Sequence, residues 1–147
     1  MILLWLLTKL RYRNAYIGYL ARVSNSQIEN KCRIFRGARV FNCSIDYDSH
    51  VSCEAVVRDA TIGKRTGIAE RAIIGVYRRM NKRTYIGNDV MIGTGAIIME
   101  GVTIGNGAWI GADCVIRKNV KPYTVMAMPE PIKLRTRPKD EAGQKMG

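Results

Sequence analysis

The stretch YIGNDVMIGTGAIIMEGVTIGNGAWIGADCVI, residues 85–116, returns isoleucine at every sixth position: Ile86, Ile92, Ile98, Ile104, Ile110 and Ile116. Glycine follows four of them, at Gly87, Gly93, Gly105 and Gly111. A helix buries one face with a period of about 3.6 residues, and a half-buried strand with a period of about two. Six fits neither as a single element. It fits one short strand plus one corner, with a large inward aliphatic, a glycine or small polar residue after it, and a small residue at the bend. Three such hexads close a triangular coil, and stacking the coils buries the aliphatic column.

The marker continues upstream at Ile28, Ile34, Val40, Ile45, Val51, Val57, Ile62, Ile68 and Ile74. Most steps are six residues, but Val40 to Ile45 and Val57 to Ile62 are five. Residues 28–44 and 45–61 therefore read as units of 17, and 62–79 as one of 18. Four positions after the markers sits a small or short residue: Cys32, Ala38, Ser49, Ala55, Thr66, Ala72, Val90, Ala96, Val102, Ala108, Cys114 and Val120. The register predicts an all-β parallel β-helix of about five to six triangular coils over residues 26–122. A short apolar and basic helical cap is expected at 1–25, and a turn with a basic tail at 123–147. Both ends need covering, because a terminal coil has a neighbour on one side only. Handedness is not written in the repeat; parallel crossovers are normally right-handed.

Of the four cysteines, Cys32 and Cys114 fall in the small-residue series and read as packing groups rather than reactive thiols. No C-x-x-C spacing joins them to Cys43 or Cys53, which argues against zinc and redox chemistry and for reduced thiols in the cytoplasm.

The formal net charge is +12, which favours anionic partners. The charge is uneven. Residues 1–39 hold eight Lys/Arg against Glu29 alone, residues 117–147 hold eight more, and 78–83 hold four, while 84–116 hold none. The N-terminal run MILLWLLTKLRYR is too short to span a bilayer and lacks the basic start of a signal peptide. Residues 1–22 read either as a helix packed on the end of the domain or as a peripheral contact with the anionic inner membrane surface. The cations of VYRRMNKR come with few stacking aromatics and no RNA-binding motif, so nucleic acid is not an expected partner. A basic rim around a cofactor groove accounts for them. Met91 and Trp109 fall on outward positions, available to another subunit or a cofactor.

The C-terminal run IGNDVMIG, GVTIGNGA, IGADCVIRKNVKPY and TVMAMPEPIKLRTR resembles the hexapeptide-repeat acyltransferases, most closely the xenobiotic and sugar or polysaccharide O-acetyltransferases. The resemblance covers about residues 28–137 and implies a left-handed β-helix, a homotrimer, and acetyl-CoA lying between neighbouring prisms, with no metal. It places Ala112 where a small residue lets pantetheine pass. It places Arg117 and Lys118 on the last coil, and Lys133 and Arg135 on the tail, where the nucleotide end of CoA is held. Cations on a rigid coil end suit phosphate. In place of the family's G-G-N-P-A turn stands Ala127-Met128-Pro129-Glu130-Pro131, without the two glycines.

The family's catalytic histidine leaves the β-helix just after a segment like I-G-x-G-x-H. The matching stretch here is Ile74-Gly75-Val76-Tyr77-Arg78-Arg79, with arginine in the histidine's place and a loop no longer than a pair of hexads. Arginine stays protonated and is no base. The one histidine, His50, is then the candidate general base, with Asp46 and Asp48 near in sequence to orient it. The alternative is a solvated corner residue. A single histidine also fails to supply the three-histidine zinc set of the carbonic anhydrases that share this fold. Two functions follow. One is acetyl-CoA-dependent O-acetylation of a sugar or cell-surface polysaccharide precursor. The other is a non-catalytic trimeric scaffold that has lost the loop and the base.

Overall fold

The computed structural model describes residues 6, 7, 11, 12, 14–76 and 82–130. Within them the chain winds through six triangular coils and opens a seventh. The first three coils are β1 (Tyr16–Ile17), β2 (Arg22–Ser24) and β3 (Gln27–Ile28); β4 (Arg33–Ile34), β5 (Arg39–Phe41) and β6 (Ser44–Ile45); and β7 (His50–Val51), β8 (Val56–Arg58) and β9 (Ala60–Ile62). The next are β10 (Gly67–Ile68), β11 (Ile73–Val76) and β12 (Thr84–Ile86), then β13 (Met91–Ile92), β14 (Ile97–Met99) and β15 (Thr103–Ile104). The sixth has β16 (Trp109–Ile110), β17 (Val115–Ile116) and a bridge from Ile104 to Val120 before β18 (Val125–Met126). Strands stack in parallel into three sheets of seven, six and five, which is the all-β parallel β-helix the repeat predicts.

The inward aliphatics form the core. Ile34, Val51, Ile68 and Ile92 stack on the first sheet, Val40, Val57, Ile74 and Ile98 on the second, and Ile45, Ile62, Ile86 and Ile104 on the third, all buried. All twelve small positions of the sequence series are buried with them. A third corner column, Ser26, Cys43, Ala60, Thr84 and Val102, is equally buried and takes in Cys43 as well. Burial in this apolar stack pushes the Cys43 thiol up to about 11 and raises that of Cys32, so neither is a ready thiolate.

The corners demand positive φ. Glycine supplies it at Gly37, Gly95, Gly101 and Gly107. Elsewhere twelve other residues adopt it, half of them Asn or Asp, whose short polar side chains tolerate that region. The five-residue steps turn on such a column: the Asn25 amide donates to Asn42 Oδ1 at 3.1 Å, and the Asn42 amide to Asp59 Oδ1 at 2.6 Å. On the third sheet the I-G-N rungs interlock. Asn88 Oδ1 accepts from the Lys64 amide and Asn106 Oδ1 from the Asn88 amide, both at 2.9 Å, in space that a Cβ on Gly63 or Gly87 would occupy.

Three expectations change. The β-helix starts at Tyr16, inside the segment expected to be a helical cap, and its last strand lies past residue 122. Tyr12 is buried against the first coil and donates to the Ser26 carbonyl at 2.6 Å, covering that end. Most of the N-terminal run lies outside the described residues; no helix among the described residues is long and apolar enough to cross a membrane.

The second change concerns residues 62–79, which do not make a coil of 18. Stacked partners Ile62 and Ile86, or Ile68 and Ile92, are 24 residues apart, against 17 in earlier coils and 18 in the next. The extra residues leave after Val76, where β11 bulges and Gly75 adopts φ +78 above the Arg58 carbonyl. They return at Arg83. Its guanidinium donates to Thr61 Oγ1 at 2.7 Å and to the carbonyls of Ala60 at 2.9 Å and Asn42 at 3.1 Å. Arg83 thus fastens the insertion rather than standing free as part of a basic rim. Tyr77, Arg78 and Arg79 lie outside the described residues. The third change concerns Asp46 and is met at the site.

Candidate functional site

His50 opens β7, on the outer face of the first sheet, and is half-buried rather than a solvated corner group. Its cross-strand partners lie 17 residues away on each side, Arg33 on β4 and Gly67 on β10. Gly67 is what lets the imidazole lie down. A Cβ there would sit 2.7 Å from His50 Cε1, 2.9 Å from Nε2 and 2.9 Å from the Met91 sulfur. The ring therefore occupies the space of a missing side chain, with the Met91 thioether on the far side. Burial, then the charge of Arg33, pull the His50 pKa below its ordinary value, against weaker opposing effects from Asp48 and Glu70. The imidazole is held neutral at neutral pH, the form that accepts a proton.

No hydrogen bond to the His50 ring occurs among the described residues, so neither acid orients it. Asp46 is excluded by topology. It follows β6 on the third sheet, where it takes the Tyr47 amide at 2.7 Å and lines a groove of about 590 Å³ with Tyr85 and Asn88. A shift of one face of the prism separates it from His50.

The predicted cofactor residues divide. Arg117 and Lys118 follow β17 at the C-terminal end, both exposed, and line one hollow of about 390 Å³ with Ile116, Val120 and Met126. Lys121 lines it too and was not singled out from sequence. Ala112 lies on the exposed turn after β16, its amide packed beneath Gly93, and is not part of that hollow. Lys133 and Arg135 lie outside the described residues. None of residues 127–130 has a positive φ, as the loss of the turn glycines implies.

Within one chain, His50 and the Arg117–Lys118 pair do not meet. His50 is on the third coil of the first sheet, and the pair leaves the second sheet on the sixth coil. Three rungs of about 4.8 Å alone separate them by about 14 Å along the axis. Beside His50 on the outer column stand Met91 and Trp109, the latter 60% exposed. Arg33, Gly67 and Met91 were missed as neighbours of His50. The 17-residue coil length was the signal that could have found the first two.

Residues 83–118 match the family model for the bacterial transferase hexapeptide, six repeats. No curated protein sequence matches the chain. Among solved structures, a hexapeptide-repeat-containing acetyltransferase from Vibrio cholerae is 22% identical, with a TM-score of 0.52 over 80% of this chain and 72% of that one. AntD, an N-acyltransferase from Bacillus cereus, is 18% identical, with a TM-score of 0.51 over 88% of this chain and 82% of that one. A serine acetyltransferase from Neisseria gonorrhoeae is 22% identical, with a TM-score of 0.45, and matches 80% of this chain. The chain spans about two fifths of the length of the serine acetyltransferases it matches, 38% of the Neisseria protein and 40% of an Entamoeba histolytica one. The six-residue rungs and three parallel sheets are consistent with the left-handed β-helix, and the segment that matches the hexapeptide family, residues 83–118, is seated on the fourth to sixth coils.

Proposed function

We propose that the chain is an acyltransferase that moves acetyl from acetyl-CoA to a hydroxyl of a sugar or cell-surface polysaccharide precursor, working as a homotrimer. The observation that carries the reading is the closing coil, where Arg117, Lys118 and Lys121 converge on one hollow at the end of a hexapeptide prism. Three cations on one rim suit the phosphates of a CoA nucleotide, and nothing in the coil geometry asks for them. AntD, built on a similar prism, is in complex with dTDP-4-amino-4,6-dideoxyglucose and Coenzyme A, which supports CoA and a sugar as the pair of substrates.

In this reading His50 is the general base. Its neutral ring takes the acceptor hydroxyl proton as the oxygen attacks the thioester carbonyl. The carbon–oxygen bond forms, the carbon–sulfur bond breaks, and the imidazolium returns its proton to the departing thiolate. Because His50 and the C-terminal cations stand on different faces of one prism, the site forms between copies: one supplies His50, its neighbour the hollow. The test is acetyl transfer to a panel of sugar acceptors, followed as released thiol. Wild type should turn over and His50→Ala should lose about a hundredfold or more of the rate. Full activity in His50→Ala removes it as the base. No transfer to any acceptor by a folded, CoA-binding protein favours the scaffold.

A further inference from the structure

The first outward position of the second sheet, one residue before each inward aliphatic, reads Arg22, Arg39, Val56, Ile73, Ile97 and Val115 from the first coil to the sixth. The last four show that the rung asks for no charge there. Yet Arg22 and Arg39 are direct register partners on adjacent strands. Strands lie about 4.8 Å apart, and like charges placed opposite each other destabilise a sheet. A third cation joins them. Arg71, on the corner column with φ +56, lines one hollow of about 470 Å³ with Arg22, Arg39 and Glu54. Gly37 lines that hollow; a Cβ there would touch only Glu54, at Cγ 3.5 Å and at the backbone nitrogen 4.0 Å away.

None of the three guanidinium groups makes an ion pair or side-chain hydrogen bond among the described residues. By contrast Arg65, on another corner, is held in a fork by Asp89 at 2.6 and 2.8 Å. Glu54 is the one carboxylate lining the hollow, so three cations face one anion and two charges are left over. Three unspent planar forks and an excess of positive charge match a phosphate group.

We propose that this hollow, running over the first four coils and separate from the one lined by Arg117 and Lys118 on the sixth, is a second anion site that binds a phosphate group. The phosphate comes either on a soluble ligand or on a lipid headgroup. The inference stands apart from the acyltransfer reading, since it uses none of the same residues.

The probes are sodium pyrophosphate, by calorimetric titration in about 0.15 M salt, and vesicles of phosphatidylglycerol against phosphatidylcholine, by co-sedimentation. The variant is Arg22→Gln/Arg39→Gln, with Lys31→Gln/Lys64→Gln as a charge-matched control away from the hollow. Saturable binding of either probe is expected, weakened about tenfold or more in the arginine variant and unchanged in the lysine variant. Pyrophosphate alone assigns a soluble ligand, and phosphatidylglycerol vesicles alone a headgroup. Absence of binding to both probes, or equal loss in the two variants, overturns the site. Arg71→Gln, a corner substitution, repeats the test should the double arginine variant fail to fold.

Discussion

At the scale of single residues, the histidine is the most informative position. The sequence marked His50 as the one available base but gave it the wrong company. Asp46 and Asp48 are near it along the chain, yet a strand alternates faces and a coil turns corners, so proximity in sequence does not carry across a bend. The relevant neighbours are one coil away, at Arg33 and Gly67. Their effect is testable through pH. An unfolded histidine titrates near about 6.5, and folding lowers the His50 value by burial and by the Arg33 charge. The unfolded chain then binds more protons between the two values, so stability falls as pH drops through that window and is unaffected well above it. Urea denaturation of wild type and His50→Gln between about pH 7.5 and 5 should show wild type losing stability relative to the variant as acid is added. Parallel curves would contradict the burial of the ring.

At the scale of elements, the rungs were legible and the insertion was not. The inward aliphatics from Ile34 to Ile116 and the twelve small residues of the series from Cys32 to Val120 could be placed, because each must fit one column, whereas Cys43, Ala60 and Thr84 on the third corner column were not. Ile17 and Ala21 extend the same register and could have moved the start of the β-helix upstream. The repeat hid the loop after Val76, which the resemblance alone marks, for a physical reason: Ile74 and Ile86 are twelve residues apart, two whole hexads, so the marker keeps its phase. What fastens that loop is Arg83, with three hydrogen bonds to the preceding coils. Arg83→Ala should cost about 1–3 kcal/mol in thermal or urea melts. A variant as stable as wild type would mean that the three hydrogen bonds hold nothing together. Gly87→Ala tests the interlocked rungs. Its Cβ would lie 2.8 Å from the Asn106 backbone nitrogen, which has no freedom to withdraw, and should cost about 1–3 kcal/mol in thermal or urea melts.

At the scale of the whole molecule, the prism sorts its charge by end. The chain from Thr84 to Ile116, from the end of the fourth coil to the sixth, carries no Lys or Arg, while unspent cations gather on the earlier coils and at the closing hollow. Solenoids are stabilised rung by rung, so function is free to occupy the outer columns without disturbing the core. That is why the fold could be read from a single sequence and the acceptor could not: the repeat fixes what faces inward, and only the packing of copies side by side fixes which outer columns meet. The arrangement of His50 and Arg117 on different faces is one consequence, and under the proposed acyl transfer it makes turnover depend on assembly.

The central claim is that the C-terminal hollow holds CoA. Calorimetric titration of the purified protein with CoA, beside Arg117→Ala/Lys118→Ala, tests it most directly. The account predicts saturable binding with one site per chain, weakened about tenfold or more in the double variant. A folded protein that gives no saturable heat, or a double variant that binds as tightly as wild type, would contradict it.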